Sequence, residues 1–276
     1  MNGPLHILFN QTIPSIELFQ QVMEVGGTKL LQMKVSKNGW TPLHVLFYQM
    51  NPSVELFQQV MEQVGGPELL KMGDNMGKTP LHVLLTKKSP SLQLFHKVME
   101  AGGAGSTCLL KMGDMDGKTP LHAHFDQKNP SIELLEQVLE VMEVLGDEPQ
   151  ELLQLLQLRD NKGVTPLHYH FRQEKPSVEF IMKVTNVVVG GPELLRISEN
   201  DGWTPLHAHF RNENPSVELV KLVVKMMGRE ILEMADKNGM TPLYAHFNLE
   251  KASIDFIMQV IEVGGPELLM NSRRYR

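Results

Sequence analysis

Histidines two residues apart recur along this chain, as His122/His124, His168/His170 and His207/His209, and Tyr244/His246 occupies the same place once more. Imidazole binds zinc and titrates near neutral pH, so metal binding and proton transfer are the chemistries to weigh first. Residues two apart on a helix point roughly 200° away from each other, so neither ring of a pair can share an ion with its neighbour. A ladder of one ring per pair, His124, His170, His209 and His246, is the better metal hypothesis. No Cys, Asp or Glu accompanies it at ligand spacing. Recurrence itself favours building parts over an active site, which is normally single. The first histidine is expected to fix a loop, and the second to fill a seam between helices and hydrogen-bond within it. Four partly buried rings near their ordinary pKa would have to charge as pH falls towards about 6, which makes a pH-sensitive seam an expectation.

Other constellations carry less. Asp114-Met115-Asp116-Gly117 begins like a calcium loop, but Phe125 stands where the bidentate Glu belongs. Gly-Gly-Pro-Glu has neither a preceding strand nor a P-loop Lys-Ser/Thr. There is no nucleophile elbow and no zinc-protease helix, and Cys108 lacks matching histidine partners that differ from the repeat pattern, so it reads as a small buried apolar residue. Neither a catalytic site nor a cofactor is expected.

The bulk composition agrees. With 42% hydrophobic and 21% charged residues the chain is that of a folded protein, and its formal charge of −6 argues against nucleic acid as the main partner. Arg273, Arg274 and Arg276 form a short basic run of the kind usual in solvated tails. A single cysteine excludes an intramolecular disulfide and suits the cytoplasm or nucleus. No apolar run suits membrane insertion, and the first residues, MNGPLHILFNQ, lack signal-peptide features.

The elements that hold the histidines are written repeatedly. Thr41, Thr79, Thr119, Thr165, Thr204 and Thr241 each open a Thr-Pro-Leu-His or Thr-Pro-Leu-Tyr clause, and Gly3-Pro4-Leu5-His6 is a degenerate first copy; successive spacings are 38, 38, 40, 46, 39 and 37 residues. Such a period signals stacked units that bury a shared core. In the copy from Asp74 to Met112, Asp74-Asn75-Met76-Gly77 has turn chemistry, Thr79 reads as a helix N-cap and Pro80 as the first helical residue. Ser89-Pro90-Ser91 repeats the pattern, with Pro again taken as the first residue of a second helix that Gly102-Gly103 ends. Equivalent glycine pairs are Gly26-Gly27, Gly65-Gly66, Gly190-Gly191 and Gly264-Gly265. Pro-Glu-Leu-Leu at Pro67, Pro192 and Pro266 then adds one helical turn that lowers two leucines onto the core. The longest unit carries seven more residues than the one after it, near Glu133 to Glu143. Seven residues are close to two turns, so this insertion is expected to lengthen the second helix without rotating its apolar face.

The clause Asp-x-x-Gly-x-Thr-Pro-Leu-His at Asp74 and Asp114, with variants at Asp160, Asn200 and Asp236, resembles that of the ankyrin repeat family. The resemblance covers nearly the whole chain. It implies an all-α fold: a helical solenoid of seven stacked ankyrin-like helix-turn-helix repeats with reversed connecting loops, a single domain over 1–276 with repeats starting near 1, 36, 74, 114, 160, 199 and 236. It also implies that Thr and His of the clause, at Thr41/His44, Thr79/His82, Thr119/His122, Thr165/His168 and Thr204/His207, exchange hydrogen bonds that tie the first helix to the preceding loop. The chain departs from the family in its longer units. It also departs in the bulky pair after the clause, Leu46-Phe47, Leu84-Leu85, His124-Phe125, His170-Phe171, His209-Phe210 and His246-Phe247, where the family has small residues; this implies wider helix spacing and altered curvature.

Residues that differ from copy to copy are free to serve a partner. They include the position before the clause threonine, Trp40, Lys78, Lys118 and Trp203, and positions flanking the bulky pair, Tyr48, Asp126, Tyr169, Arg172 and Arg211. By the resemblance they line a concave face. Trp40, Trp203, Tyr48, Tyr169 and Arg172 are the expected anchors, because aromatics and Arg carry much of interface energy. The alternative for the tryptophans is that each shields a neighbouring loop. The expectation is a monomeric, non-enzymatic scaffold or adaptor for a protein partner, without nucleic-acid binding or membrane insertion. The runner-up is a targeting fragment of a larger protein, suggested by Leu5, Ile7, Leu8 and Phe9, which give the first copy no polar outer cap. A histidine-ladder metal binder is a remote third.

Overall fold

The Thr-Pro and Ser punctuation sets the helix starts. The structure, a computed structural model, describes residues 3–35, 37–64, 67–103, 106–144, 150–188 and 190–270, with Val187 described by its backbone alone. Gly65-Gly66 and the arginines at 273, 274 and 276 lie outside these residues. Among the described residues there is no strand, and one succession of helices occurs seven times. The first helices are Pro4–Phe9, Pro42–Tyr48, Pro80–Leu85, Pro120–Phe125, Pro166–Phe171, Pro205–Phe210 and Pro242–Phe247. The second helices are Ile16–Gly26, Val54–Val64, Leu92–Gly102, Ile132–Val144, Val178–Val187, Val217–Met227 and Ile254–Gly264. A third short segment follows each, as in Pro67–Lys71 or Gly191–Arg196.

First helices begin as the clause dictates, with Thr in extended conformation at the N-cap and Pro just inside. Second helices differ from expectation by two residues. Ser91, not Ser89, is the cap: its Oγ accepts from the Leu94 N–H at 3.2 Å, and Pro90 lies before the helix. Ser15, Ser177, Ser216 and Ser253 cap in the same way. The register that buries Leu94 and Phe95 leaves Ser91 as the hydroxyl in reach of the free N–H groups, while Pro90 holds the chain extended.

Third segments bury their leucine pairs, as at Leu69 and Leu70 or Leu194 and Leu195. Cys108 belongs to such a segment, Ser106–Lys111, and is exposed rather than buried. It occupies the place of Glu68 and Glu193 on the outer side, while Leu109 and Leu110 face inward. The insertion is also divided differently from expectation. Ile132–Val144 has 13 residues against 11 in Leu92–Gly102, and the third segment Gln150–Gln157 grows to 8. Leu152, Leu155 and Leu156, spaced three and four apart, give that segment its own buried face.

The chain forms two compact units, Met1–His124 with Glu133–Glu148, and Phe125–Ile132 with Pro149–Arg276. In unit 1 the core runs through Phe9, Phe19, Phe47, Phe57 and Phe95; in unit 2 it runs through Phe125, Phe171, Phe180 and Phe210. First helices pack on first helices of adjacent copies within each unit.

Candidate functional site

The clause histidine is a fixed part of the stack. His44 Nδ1 accepts from the Thr41 N–H at 3.1 Å and lies 2.8 Å from Thr41 Oγ1, which in turn accepts from the His44 N–H. With Nδ1 accepting, the proton sits on Nε2, which donates to the Lys78 carbonyl at 2.7 Å. His82 reaches Lys118, His168 reaches Trp203 and His207 reaches Met240 by the same bond. Thr119 and His122 share the local half, at 3.1 and 2.8 Å. The tie therefore runs to the loop of the following copy, not to the preceding loop. Burial, opposed by the carbonyl bond, pushes His44 down to about 4 and His168 to about 3, and lowers His82 and His207 as well.

The second histidine does a different job. Nε2 of His170, His209 and His246 accepts from the N–H of Ser177, Ser216 and Ser253, at 3.0, 2.8 and 2.9 Å, which fixes the start of the second helix against the first. His246 Nδ1 pairs with the Phe210 carbonyl of the previous copy at 2.8 Å. These rings are fully rather than partly buried, and burial takes His209 to about 4. A ring whose lone pair faces an N–H cannot also bind an ion. Among the described residues no group of three His, Cys, Asp or Glu could hold a metal.

Loops bring the variable residues together. In unit 2, Asp160 Oδ1 accepts from the N–H groups of Lys162 and Val164, and its Oδ2 from the Tyr169 hydroxyl at 2.7 Å. Tyr169 is only 9% exposed, so it braces its loop and is not the exposed anchor expected of it. Trp203 stacks on His207 with ring centres 6.0 Å apart and donates Nε1–H to Asp236 Oδ2 at 2.9 Å, a loop-shielding arrangement. Arg211, exposed, lies over the indole at 5.2 Å. Glu199, and not Asn200, takes the first turn position, since its N–H bonds to the Trp203 carbonyl. Its carboxylate pairs with Arg172 at 2.6 Å, while burial raises its pKa. Arg172, Glu199, Asp201, Trp203 and Arg211 line a cleft of about 400 Å³. Asp126 lies apart from them, exposed in a second cleft of unit 2 with Lys128 and Lys175.

In unit 1, Trp40 stacks on His44 at 6.2 Å and meets Tyr48 at 5.1 Å. Tyr48 is 63% exposed. Lys78 and Lys118 give their carbonyls to the histidine ties and keep half-buried side chains. Tyr48, Met50, Lys87 and Lys88 border a cleft of about 690 Å³. Sequence reasoning did not single out Lys87. Its Nζ donates to the Gln49 carbonyl, and burial lowers its pKa to about 8. The available signal was the register: Gln173 and Asn212 use their amides at this position to bond carbonyls of the previous copy, and here a cation does so.

No family model matches the chain, and no curated protein matches its sequence. Solved structures do match in fold. The ankyrin repeat domain of Bcl-3, a member of the IκB family, aligns over 95% of this chain and 98% of its own, with 17% identity and a TM-score of 0.65. An ankyrin repeat domain from Acinetobacter baumannii AYE aligns over 84% and 98%, at 18% identity and a TM-score of 0.51. A third ankyrin repeat protein aligns over 76% and 90%, at 14% identity and a TM-score of 0.54. The fold is therefore the all-helical ankyrin-repeat fold.

Proposed function

We propose that this protein is a non-enzymatic scaffold or adaptor that binds a protein partner through the loop tips and first-helix faces of its repeats. The observation that carries this reading is the coincidence of two patterns. The clause residues are buried and bonded alike in successive copies, whereas Tyr48, Lys88, Asp126, Arg172 and Arg211 differ between copies and reach solvent or line clefts. Arg211 over Trp203 offers an exposed planar cation to a carboxylate, and Tyr48 and Lys88 bring an aromatic ring and a charge to the border of one cleft. No helix among the described residues is long and apolar enough to cross a membrane. A lone exposed thiol supports the cytoplasm or nucleus as the compartment.

Affinity capture from cell lysate, with Tyr48→Ala/Lys88→Glu and Arg211→Glu variants beside the native chain, tests the reading. These side chains are exposed, so the fold should survive. A protein retained by the native chain and lost with either variant supports the adaptor role; equal capture by all three removes these faces from the proposal.

A further inference from the structure

Identical sequence meets different surroundings at one end of the repeat array. Glu17–Glu24 and Glu55–Glu62 share the octapeptide ELFQQVME, yet Leu18 is 44% exposed and Leu56 is fully buried. The same position is no more than 4% exposed in every other copy, at Leu94, Leu134, Phe180, Leu219 and Phe256. Internal copies show what covers it. Phe125 packs edge-on against Phe180 at 4.9 Å, and Phe210 against Phe256 at 5.0 Å, so the first-helix Phe of one copy lies on the second helix of the next. Ile7, Val22 and Leu30 are likewise only partly covered on the first copy.

The last copy shows the complementary half. Phe247 is 41% exposed, whereas its equivalents Phe9, Phe47, Leu85, Phe125, Phe171 and Phe210 are at 0%. Leu269 is 43% exposed, whereas Leu232, its equivalent, is buried and reaches the end of the following second helix: a Cβ on Gly264 would stand 2.7 Å from its Cδ1. Tyr244 replaces the clause histidine there and donates its hydroxyl to the Leu269 carbonyl, so this clause position keeps its polar group within its own copy.

We propose that these two faces are halves of one inter-repeat seam and that a second copy of this chain occupies each, head to tail. Phe247 of one molecule then packs on Leu18 of the next, as Phe210 packs on Phe256, and Leu269 lies against Gly26. Each face lies within a single unit. The contact is heterologous: every molecule offers two different faces, and association can propagate beyond a pair. It departs from the monomeric state expected from sequence.

Sedimentation velocity over a concentration series from micromolar to submillimolar tests this, with Leu18→Asp, Phe247→Asp and an equimolar mixture of the two. Circular dichroism establishes that each variant is folded. The native chain should shift reversibly to faster species with concentration, each variant alone should stay monomeric, and the mixture should form dimers and nothing larger, because one intact face of each kind remains. A native chain monomeric throughout overturns the proposal. So does association that only one substitution abolishes, which would mark a symmetric contact, or a mixture that stays monomeric while the native chain associates.

Discussion

Lowering the pH from about 7.5 to about 5.5 should destabilise both units, and unit 2 more than unit 1. In the unfolded chain a histidine titrates near 6.5; in the fold, burial holds His44 and His209 near 4 and His168 near 3. The unfolded state therefore binds the proton first. Stability is fully present above the unfolded value and is lost as pH falls from there towards the folded one. One pKa unit corresponds to about 1.4 kcal/mol, and about one unit separates 6.5 from the lower pH, so each ring withdraws about 1.4 kcal/mol. His168 and His209 together withdraw about 3 kcal/mol from unit 2, and His44 about 1.4 from unit 1, with His207 and His82 acting in the same direction. Against domain stabilities of roughly 5–15 kcal/mol this is a large fraction.

Urea unfolding followed by far-ultraviolet circular dichroism reads the loss directly. A slope of roughly 1–3 kcal/mol per molar converts the unit 2 figure into a midpoint drop on the order of one molar or more. His209→Leu supplies the control, since leucine occupies this position at Leu46 and Leu84. The variant should be weaker at the higher pH, because the Ser216 N–H loses its acceptor, and its dependence on pH should be shallower by about 1.4 kcal/mol. Equal midpoints at the two pH values would refute the burial argument.

Smaller perturbations test the local devices. Thr165→Ala removes the hydroxyl that accepts from the His168 N–H and lies 2.8 Å from its ring, and should cost about 1 kcal/mol in urea unfolding. Gly77→Ala puts a Cβ at φ 76°, 3.0 Å from the Met115 nitrogen, where the Met76 carbonyl bonds the next loop. The left-handed conformation alone costs roughly 1–2 kcal/mol, so the loss should exceed that of Thr165→Ala. Cys108 should react with one equivalent of a thiol reagent in the native state, leaving the circular dichroism spectrum unchanged; a thiol that reacts only in denaturant would contradict its outward placement.

First-helix starts and the loop chemistry were legible because they depend on neighbours in sequence: Thr-Pro, Asp-x-x-Gly and the leucine pairs act within a few residues. What escaped depends on neighbours in space. Ser89 and Ser91 have the same capping chemistry, and only the burial of Leu94 and Phe95 chooses between them. Tyr169 looks like an exposed anchor until the second oxygen of Asp160 is seen to receive its hydroxyl. The direction of the histidine tie was hidden because both loops flanking a first helix carry the same motif. Leu18 and Leu56 are indistinguishable in local sequence and differ only in whether another copy covers them.

Replacing leucine by histidine in the seam changes what kind of contact joins the two helices of a copy. At Leu46 and Leu84 the seam is filled by apolar volume and its stability is indifferent to protons. At His170, His209 and His246 the same volume carries an acceptor that pins the cap serine, so packing and hydrogen bonding are supplied by one ring. Charging Nε2 would turn that acceptor into a donor facing another donor, and do so in a fully buried place. The ring is therefore useful only while neutral. At His209 burial depresses the pKa, and together with His168 this makes unit 2 the more acid-labile half of the chain.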